Sequence, residues 1–379
     1  MLKFHRPFLG IEEEKAVLDT LRSCNLAGAG VKSQLLEDYI CKKLGVKYAL
    51  TVNSGTSALE LAMMVLGIKP GDEVIMPSFT FVSTANAVLR SGGMPVFVDI
   101  RENDFNIDPS KIEPAITKRT KAIIVVHYAG VGCDMDKIMA LAKKHRLFVV
   151  EDAAHAVGAK YRGKYLGTIA DIGCFSFHQT KNIACGEGGA FVTQNNKIFN
   201  KAEIMREKGT DRSRFLRKEI DKYTWIDCGS SFIMSDLLSA IALEQFKKLG
   251  AINKKRAENA AYLLKKLRPL EKAGKLVLPR PDKKCLTNWH IFAILVAEPL
   301  RDWVLSAFKA EGIEATFHFI PLHSSPFVRK TLKMRYSLPV TENVSRRIIR
   351  LPIYPQLKKS DMDDIANALS KALNHKKEK

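Results

Sequence analysis

Between residues 46 and 194, short apolar runs alternate with segments whose apolar residues recur at helical spacing. That pattern predicts an α/β fold built on a mainly parallel sheet covered on both faces. The strand-like runs are 47–51, 73–76, 95–99, 122–127, 147–152, 173–177 and 189–193. Helices fit between them: 57–66 carries an alanine and leucine face, 136–144 repeats apolar residues at helical spacing, and Pro70-Gly71-Asp72 marks a turn. A long helical stretch over 235–267, interrupted near Gly250, leads out of this region. Beyond it, 289–296 and 313–319 read as strands and 302–310 and 360–373 as helices, an α+β pattern. The expected division is a large domain over 1–249 and a smaller C-terminal domain over 250–379.

Composition narrows the class without naming it. The hydrophobic share of 46% is that of an ordinary globular enzyme. No run approaches the ~20 apolar residues of a membrane span, and Met1-Leu2-Lys3-Phe4-His5-Arg6-Pro7 lacks the apolar core of a signal peptide. A cytoplasmic protein with no membrane partner is expected. Cysteines at 24, 41, 133, 174, 185, 228 and 285 form no Cys-x-x-Cys pair, so reduced thiols and no metal are expected. The net charge of +20 suits a nucleic acid, an anionic surface or an anionic small substrate. Its lysines and arginines are spread along the chain, apart from Lys376-Lys377-Glu378-Lys379, and no zinc-finger or aromatic RNA-binding motif accompanies them. Nucleic acid is therefore not the expected partner, whereas a nucleotide diphosphate is compatible with the charge.

Two segments carry candidate chemistry. Leu147-Phe148-Val149-Val150-Glu151-Asp152-Ala153-Ala154-His155 reads as a buried strand that ends on a carboxylate, where α/β enzymes place their reactive groups. Ser176-Phe177-His178-Gln179-Thr180-Lys181-Asn182 then presents a lysine ahead of Gly186-Glu187-Gly188-Gly189. A lysine that holds an aldehyde and an aspartate that keeps a pyridine nitrogen protonated together suggest pyridoxal phosphate (PLP). Asn53-Ser54-Gly55-Thr56-Ser57-Ala58-Leu59 follows a strand and opens a helix, and reads either as a phosphate cradle or as a plain helix cap. Phe81 lies just after a strand, and reads either as a ring-stacking side chain or as a core phenylalanine.

These residues resemble the DegT/DnrJ/EryC1/StrS family of sugar aminotransferases, over nearly the whole chain. The resemblance rests on Ser54-Gly55-Thr56-Ser57-Ala58-Leu59, Glu151-Asp152-Ala153-Ala154-His155, the segment from Ser176 to Asn182, and Gly186-Glu187-Gly188-Gly189. It implies a fold type I, aspartate aminotransferase-like architecture. Lys181 would bind the PLP aldehyde, Asp152 pair with the pyridine nitrogen and Phe81 stack on the ring. His155 would reach the cofactor hydroxyl, and Gly55, Thr56 and Ser176 would hold the phosphate. Ser231 stands where many relatives supply an asparagine from a neighbouring subunit, so a homodimer with shared sites is implied.

Arg206-Glu207-Lys208-Gly209-Thr210, Asp221-Lys222-Tyr223-Thr224-Trp225 and the segment from Gly229 to Leu237 favour the subgroup that aminates C4 of dTDP-4-keto-6-deoxy-D-glucose, with L-glutamate as donor. Phe317-His318-Phe319-Ile320-Pro321-Leu322-His323 resembles the substrate-side loop, with Phe319 where relatives often carry tyrosine. His318 and His323 read either as substrate contacts or as packed histidines. Lys208, Arg212 and Arg214 read either as diphosphate ligands or as solvated surface. A 3-keto sugar or another nucleotide is the neighbouring alternative. Lys181 argues against the related dehydratases, which carry histidine there, and its pairing with Asp152 argues against a non-catalytic PLP-binding regulator.

Overall fold

The computed structural model describes residues 1–375, and the basic run at 376–379 lies outside them. The first half runs α1 (Ile11–Arg22), α2 (Val31–Leu44), β1 (Tyr48–Val52), α3 (Gly55–Val65), β2 (Glu73–Pro77), α4 (Val82–Arg90), β3 (Met94–Val98), β4 (Thr120–Val126), α5 (Met135–His145) and β5 (Phe148–Asp152). A short hairpin of β6 (Lys160–Tyr161) and β7 (Lys164–Tyr165) precedes β8 (Ile172–Ser176), β9 (Gly189–Thr193), α6 (Asn196–Arg206), α7 (Arg212–Leu216) and α8 (Asp236–Lys247). The C-terminal part comprises α9 (Leu249–Lys272), β10 (Leu276–Val277), β11 (Cys285–Leu286), β12 (Phe292–Val296), α10 (Leu300–Ala310), α11 (Pro339–Arg347), β13 (Ile348–Leu351) and α12 (Lys359–His375).

The central sheet has seven strands in the order β1-β9-β8-β5-β4-β2-β3. Strands β8, β5, β4, β2 and β3 are parallel, while β9 runs antiparallel to both of its neighbours. This is the large, mostly parallel mixed sheet of fold type I. Alternation along each strand explains how both faces are filled. Ile123, Val125 and Val149 enter one core with α2, α5 and α8, whereas Ala122, Ile124 and Val150 enter the other with α3 and α6. Each such buried aliphatic side chain contributes roughly 1.5–3 kcal/mol, so a one-residue slip of register is strongly disfavoured. Register therefore sets Val126, Asp152 and Cys174 side by side at the C-terminal ends of β4, β5 and β8.

The predicted strands of the sheet are all present, with ends shifted by a residue or so, and the C-terminal part departs further. The helical stretch expected over 235–267 breaks at Lys248, near Gly250 as expected, and α9 runs on to Lys272. Along α9 the packing changes partner: Leu249 and Ile252 belong to the core beside the large sheet, Ala260, Leu263 and Leu267 to that of the small sheet β10-β12-β13. The strand expected over 289–296 is trimmed to Phe292–Val296, because Trp289 takes a left-handed backbone with φ 48°. Residues 313–319 form no strand. Their backbone forms isolated bridges, Leu2 with Ile313 and Thr316 with Arg350. The aromatic side chain of Phe319 packs against Phe79 and Tyr128 instead, so packing outweighs the strand-like alternation. Among the described residues, no helix is long and apolar enough to cross a membrane.

Candidate active site

The C-terminal ends of the parallel strands open into a cavity of about 510 Å³, lined by Gly55, Thr56, Phe81, Asp152, His155, Ser176, Lys181, His318 and Arg350 among others. Its floor is the end of β5. Glu151 and Asp152 point to opposite sides there, and each has donors of its own. Glu151 accepts the N–H groups of Gly167, Ile169 and Ala170, each at 2.7 Å, and lies 2.8 Å from His127 Nε2. Cys133 N–H donates to His127 Nδ1, so the ring proton sits on Nε2 and faces Glu151. That buried clamp fixes the strand end. Asp152 faces the cavity, accepting from Thr84 Oγ1 at 2.9 Å and from Ala154 N–H at 3.2 Å. Burial pushes its pKa up, while these two donors and Lys181 pull it down.

Lys181 reaches the same cavity from the loop between β8 and β9. Phe177 N–H donates to Gly188 O, Cys185 N–H to Phe177 O, and Gln179 N–H to Gly186 O, closing the loop into a tight turn. Gly186 sits at φ 95° there, a conformation that a side chain would strain. Asn182 pins the loop further, donating to Asn253 Oδ1 at 2.9 Å and to Asn288 O at 3.0 Å. The lysine is held from both sides. Burial lowers its pKa to about 8 against the pull of Asp152, so near neutral pH a useful fraction of the amine is uncharged.

The first turn of α3 supplies an anion seat. Ser54 caps the helix by accepting Ser57 N–H at 3.0 Å, which leaves the first-turn N–H groups of Gly55 and Thr56 without an intrahelical acceptor. A Cβ on Gly55 would come within 2.8 Å of Ser176 Cβ, so only glycine lets helix and strand meet here. Thr56 Oγ1 lies 2.7 Å from Ser83 Oγ, a further hydroxyl at the seat. Phe81 caps α4 and is 59% exposed, which rules out the core reading of this ring. His155 is buried nearby, and its Nδ1 has no hydrogen-bond partner. Burial and the Lys181 charge hold it neutral.

These features test the fit of PLP. A buried lysine with a lowered pKa, a carboxylate with two donors, an N–H seat at a helix start, an exposed aromatic face and an orphaned imidazole nitrogen converge on one cavity. Pyridoxal phosphate is the cofactor this donor set fits.

Other expected site residues go elsewhere. His323 is 1% exposed, with Nδ1 2.7 Å from Ser78 Oγ and Nε2 3.1 Å from Glu342 Oε1, and it lies outside the cavity. The substrate-contact reading of His323 is thus corrected: the ring is a packed pin between the loop after β2 and the helix α11. His318 does line the cavity. Lys208 and Arg212 both pair with Glu207, at 3.1 and 3.5 Å, and Arg214 pairs with Glu219 at 3.3 Å. Ser231 is exposed, and its carbonyl accepts from Asn53 Nδ2 at 3.3 Å. Neither Lys208, Arg212 nor Ser231 lines the cavity of its own chain.

Sequence reasoning missed Thr84, Tyr128, His290 and Arg350. His290 lies with its ring tilted 4.7 Å from that of His155, and its Nδ1 is 3.0 Å from the acceptor Asn182 Oδ1, but nothing in its sequence context marks it. Arg350 did carry a signal, a lone cation in the apolar strand Ile348-Ile349-Arg350-Leu351.

Comparison with known proteins agrees with this geometry. The profile of the DegT/DnrJ/EryC1/StrS aminotransferase family matches residues 8–370. The spore coat polysaccharide biosynthesis protein SpsC of Bacillus subtilis is 37% identical over 97% of this chain and 96% of its own. The structure of Helicobacter pylori PseC, an aminotransferase involved in the biosynthesis of pseudoaminic acid, superposes with a TM-score of 0.91 at 31% identity, covering 99% of both chains. Spr1654 from Streptococcus pneumoniae, solved in its PLP form, gives 0.91 at 26% identity, also over 99% of both chains. With a whole-length profile match, an aminotransferase-like fold and a cavity built for PLP, the chain belongs to the DegT/DnrJ/EryC1/StrS aminotransferase family.

Proposed function

We propose that this protein transfers an amino group from an amino acid, L-glutamate, to C4 of dTDP-4-keto-6-deoxy-D-glucose, giving dTDP-4-amino-4,6-dideoxy-D-galactose for a surface polysaccharide. The observation that carries the aminotransferase part is the meeting of Lys181, Asp152 and the Gly55–Thr56 anion seat in one cavity. The part of SpsC in spore coat polysaccharide biosynthesis and of PseC in pseudoaminic acid biosynthesis supports the substrate class.

When bound, PLP supplies an aldehyde that carries the amino group and a pyridine ring that spreads the charge left by a departing proton. The chain supplies the rest. Lys181 Nζ would hold the aldehyde at rest, and its amine, when free, would take the donor's α-proton and give a proton to the sugar carbon from one face in the return half-reaction. A pKa brought down to about 8 suits an amine that must both take and give protons near neutrality. Burial raises the pKa of Asp152, while Thr84 and Ala154 donate to its oxygens and favour the charged form that would pair with the ring nitrogen. Gly55, Thr56 and Ser176 would hold the phosphate, Phe81 would stack on the ring and His155 would reach the ring's hydroxyl.

Lys208 and Arg212 neutralise the sugar nucleotide's diphosphate, and Ser231 reaches the phosphate seat of a second copy in a homodimer of cytoplasmic location. The test is a panel of dTDP- and UDP-linked 3-keto and 4-keto sugars, with the position of the new amine read by NMR. An amine at C4 of the dTDP sugar is expected. An amine at C3, or turnover only with another nucleotide, assigns the enzyme to a different sugar, and no transamination of any of them rejects the reading.

A further inference from the structure

His290 stands on the cavity wall beside His155, and neither the phosphate seat nor the proton chemistry of Lys181 uses it. It comes from the segment that leads into β12, and that segment is fastened to both halves of the reactive centre. Asn288 Nδ2 donates to His155 O and to Val157 O, each at 3.0 Å, and Asn288 Oδ1 accepts the His290 N–H at 3.1 Å. Arg256 Nη1 donates from α9 to Trp289 O at 3.1 Å and to His290 O at 3.4 Å. Between these anchors Trp289 keeps its left-handed backbone, a conformation that a bulky side chain holds only where its surroundings over-determine it.

The proton on the His290 ring has one place to be. Asn253 Nδ2 donates to Val157 O at 3.2 Å, so its Oδ1 is the atom turned to Asn182. Asn182 Nδ2 therefore faces Asn253 Oδ1 at 2.9 Å and Asn288 O at 3.0 Å, which leaves Asn182 Oδ1, an acceptor, 3.0 Å from His290 Nδ1. Nδ1 must donate. Burial, followed by His155, Lys181, Arg256 and Arg350, holds the pKa of His290 well below the usual imidazole range, so the ring is neutral and Nε2 carries no proton. A chain of amides thus runs from a backbone carbonyl to this ring through Asn182, the residue next to Lys181.

His155 has no such anchor. Its Nδ1 is buried without a hydrogen-bond partner, so the angle of its ring is set by the rings around it. Tyr128 meets it edge-on at 5.8 Å, His318 lies 6.1 Å away, and His290 is nearest at 4.7 Å, tilted by 37°. We propose that His290 is a positioning residue for His155: its ring, locked by Asn182, is the plate against which His155 is aimed at the hydroxyl of bound PLP. Being neutral, the plate orients its neighbour without adding a charge beside Lys181. The inference rests on the reading of His155 as the residue that reaches that hydroxyl.

The test uses the PLP-loaded enzyme and the variants His290→Asn, His290→Phe, His155→Ala and the double variant of His155→Ala with His290→Asn. An asparagine amide still donates to Asn182 but has no ring, whereas phenylalanine keeps a ring and cannot donate. The readouts are the pH midpoint of the bound cofactor's absorbance and kcat. His290→Asn should move the midpoint in the same direction as His155→Ala, by roughly half a pH unit or more, and lower kcat about tenfold. His290→Phe should leave the midpoint close to wild type while lowering the urea midpoint of unfolding, because Asn182 Oδ1 loses its donor. The double variant should match His155→Ala alone, since nothing is left to aim. In the wild type, 15N NMR of labelled histidine rings should show His290 neutral near pH 7 with its proton on Nδ1, the signal identified by its loss in His290→Phe. With His155→Ala shifting the midpoint, the inference is overturned by an unmoved midpoint in His290→Asn, by an equal shift in His290→Phe, by additive shifts in the double variant, or by a proton on Nε2 of His290. An unmoved midpoint in His155→Ala overturns the role of His155 as well. Should His290→Asn not fold, the proton site in the wild type and the midpoint of His290→Phe still decide.

Discussion

Lys181 stores instability in the cofactor-free protein, and replacing it with methionine should release that instability in a pH-dependent way. Its pKa falls from 10.5 to about 8, chiefly through burial. That drop is roughly 3 kcal/mol of penalty on the ammonium, and about 2 once screening by water in the open cavity is allowed for. The sign follows from the depressed value. Below about pH 8 both folded and unfolded chains carry the ammonium, and only the folded chain bears the penalty. Between about 8 and 10.5 the folded amine is neutral while the unfolded one is still charged, so the penalty shrinks as pH rises. Above 10.5 both are neutral and it vanishes. Lys181→Met removes the charge at similar length, so cofactor-free variant should exceed cofactor-free wild type by roughly 2–3 kcal/mol near pH 7 and match it above the unfolded pKa. Urea denaturation at matched protein concentration, repeated across that pH range, measures the difference. A gap that does not change with pH, or a wild type more stable than the variant near neutrality, refutes the reasoning.

Three further outcomes follow from the geometry around Lys181. Thr84→Val removes the 2.9 Å hydrogen bond to Asp152 and strands Thr80 Oγ1, which lies 2.8 Å from the lost hydroxyl, and kcat/KM should fall about 10- to 100-fold while Thr84→Ser retains activity. Gly55→Ala drives a methyl group to 2.8 Å from Ser176 Cβ, and cofactor affinity, followed by fluorescence titration, should weaken about tenfold or more while the circular dichroism spectrum is unchanged. Glu151→Gln places an amide among the N–H groups of Gly167, Ile169 and Ala170 that the carboxylate accepts at 2.7 Å, and thermal unfolding should show a loss of about 3 kcal/mol or more.

The large sheet was legible because its strands are buried on both faces. Runs such as Ala122-Ile123-Ile124-Val125-Val126 have no polar face to confuse them with helix, and Gly186 and the Ser54 cap mark turns by their chemistry. The reversal of β9 was not legible, since direction depends on where a connection lands and leaves no mark in the strand's own residues. Phe317-His318-Phe319 alternates like a strand, yet Phe317 lies under Arg301 while His318 and Phe319 are spent on Tyr128, Phe79 and the cavity, and only Thr316 pairs with β13. The candidates Asp152 and Lys181, which the fold brings to one cavity, stood out for a similar reason. Asp152 and Lys181 each sit in a segment whose neighbours make an ordinary surface role expensive. His323 shows the opposite case, because a histidine aimed at substrate and one pinned between Ser78 and Glu342 look alike until the partners are known. Arg350 was visible as a cation inside an apolar strand, but only the fold shows that the strand faces the cavity.

The central claim is that the amine of Lys181 holds the PLP aldehyde next to Asp152. Borohydride reduction of the active holoenzyme, followed by proteolysis and peptide mass spectrometry, tests it most directly. The reduced cofactor should be found on Lys181 in the peptide that spans Ser176 to Asn182, at close to one per chain. Cofactor attached to a different lysine, or to none while the enzyme still turns over, contradicts the account.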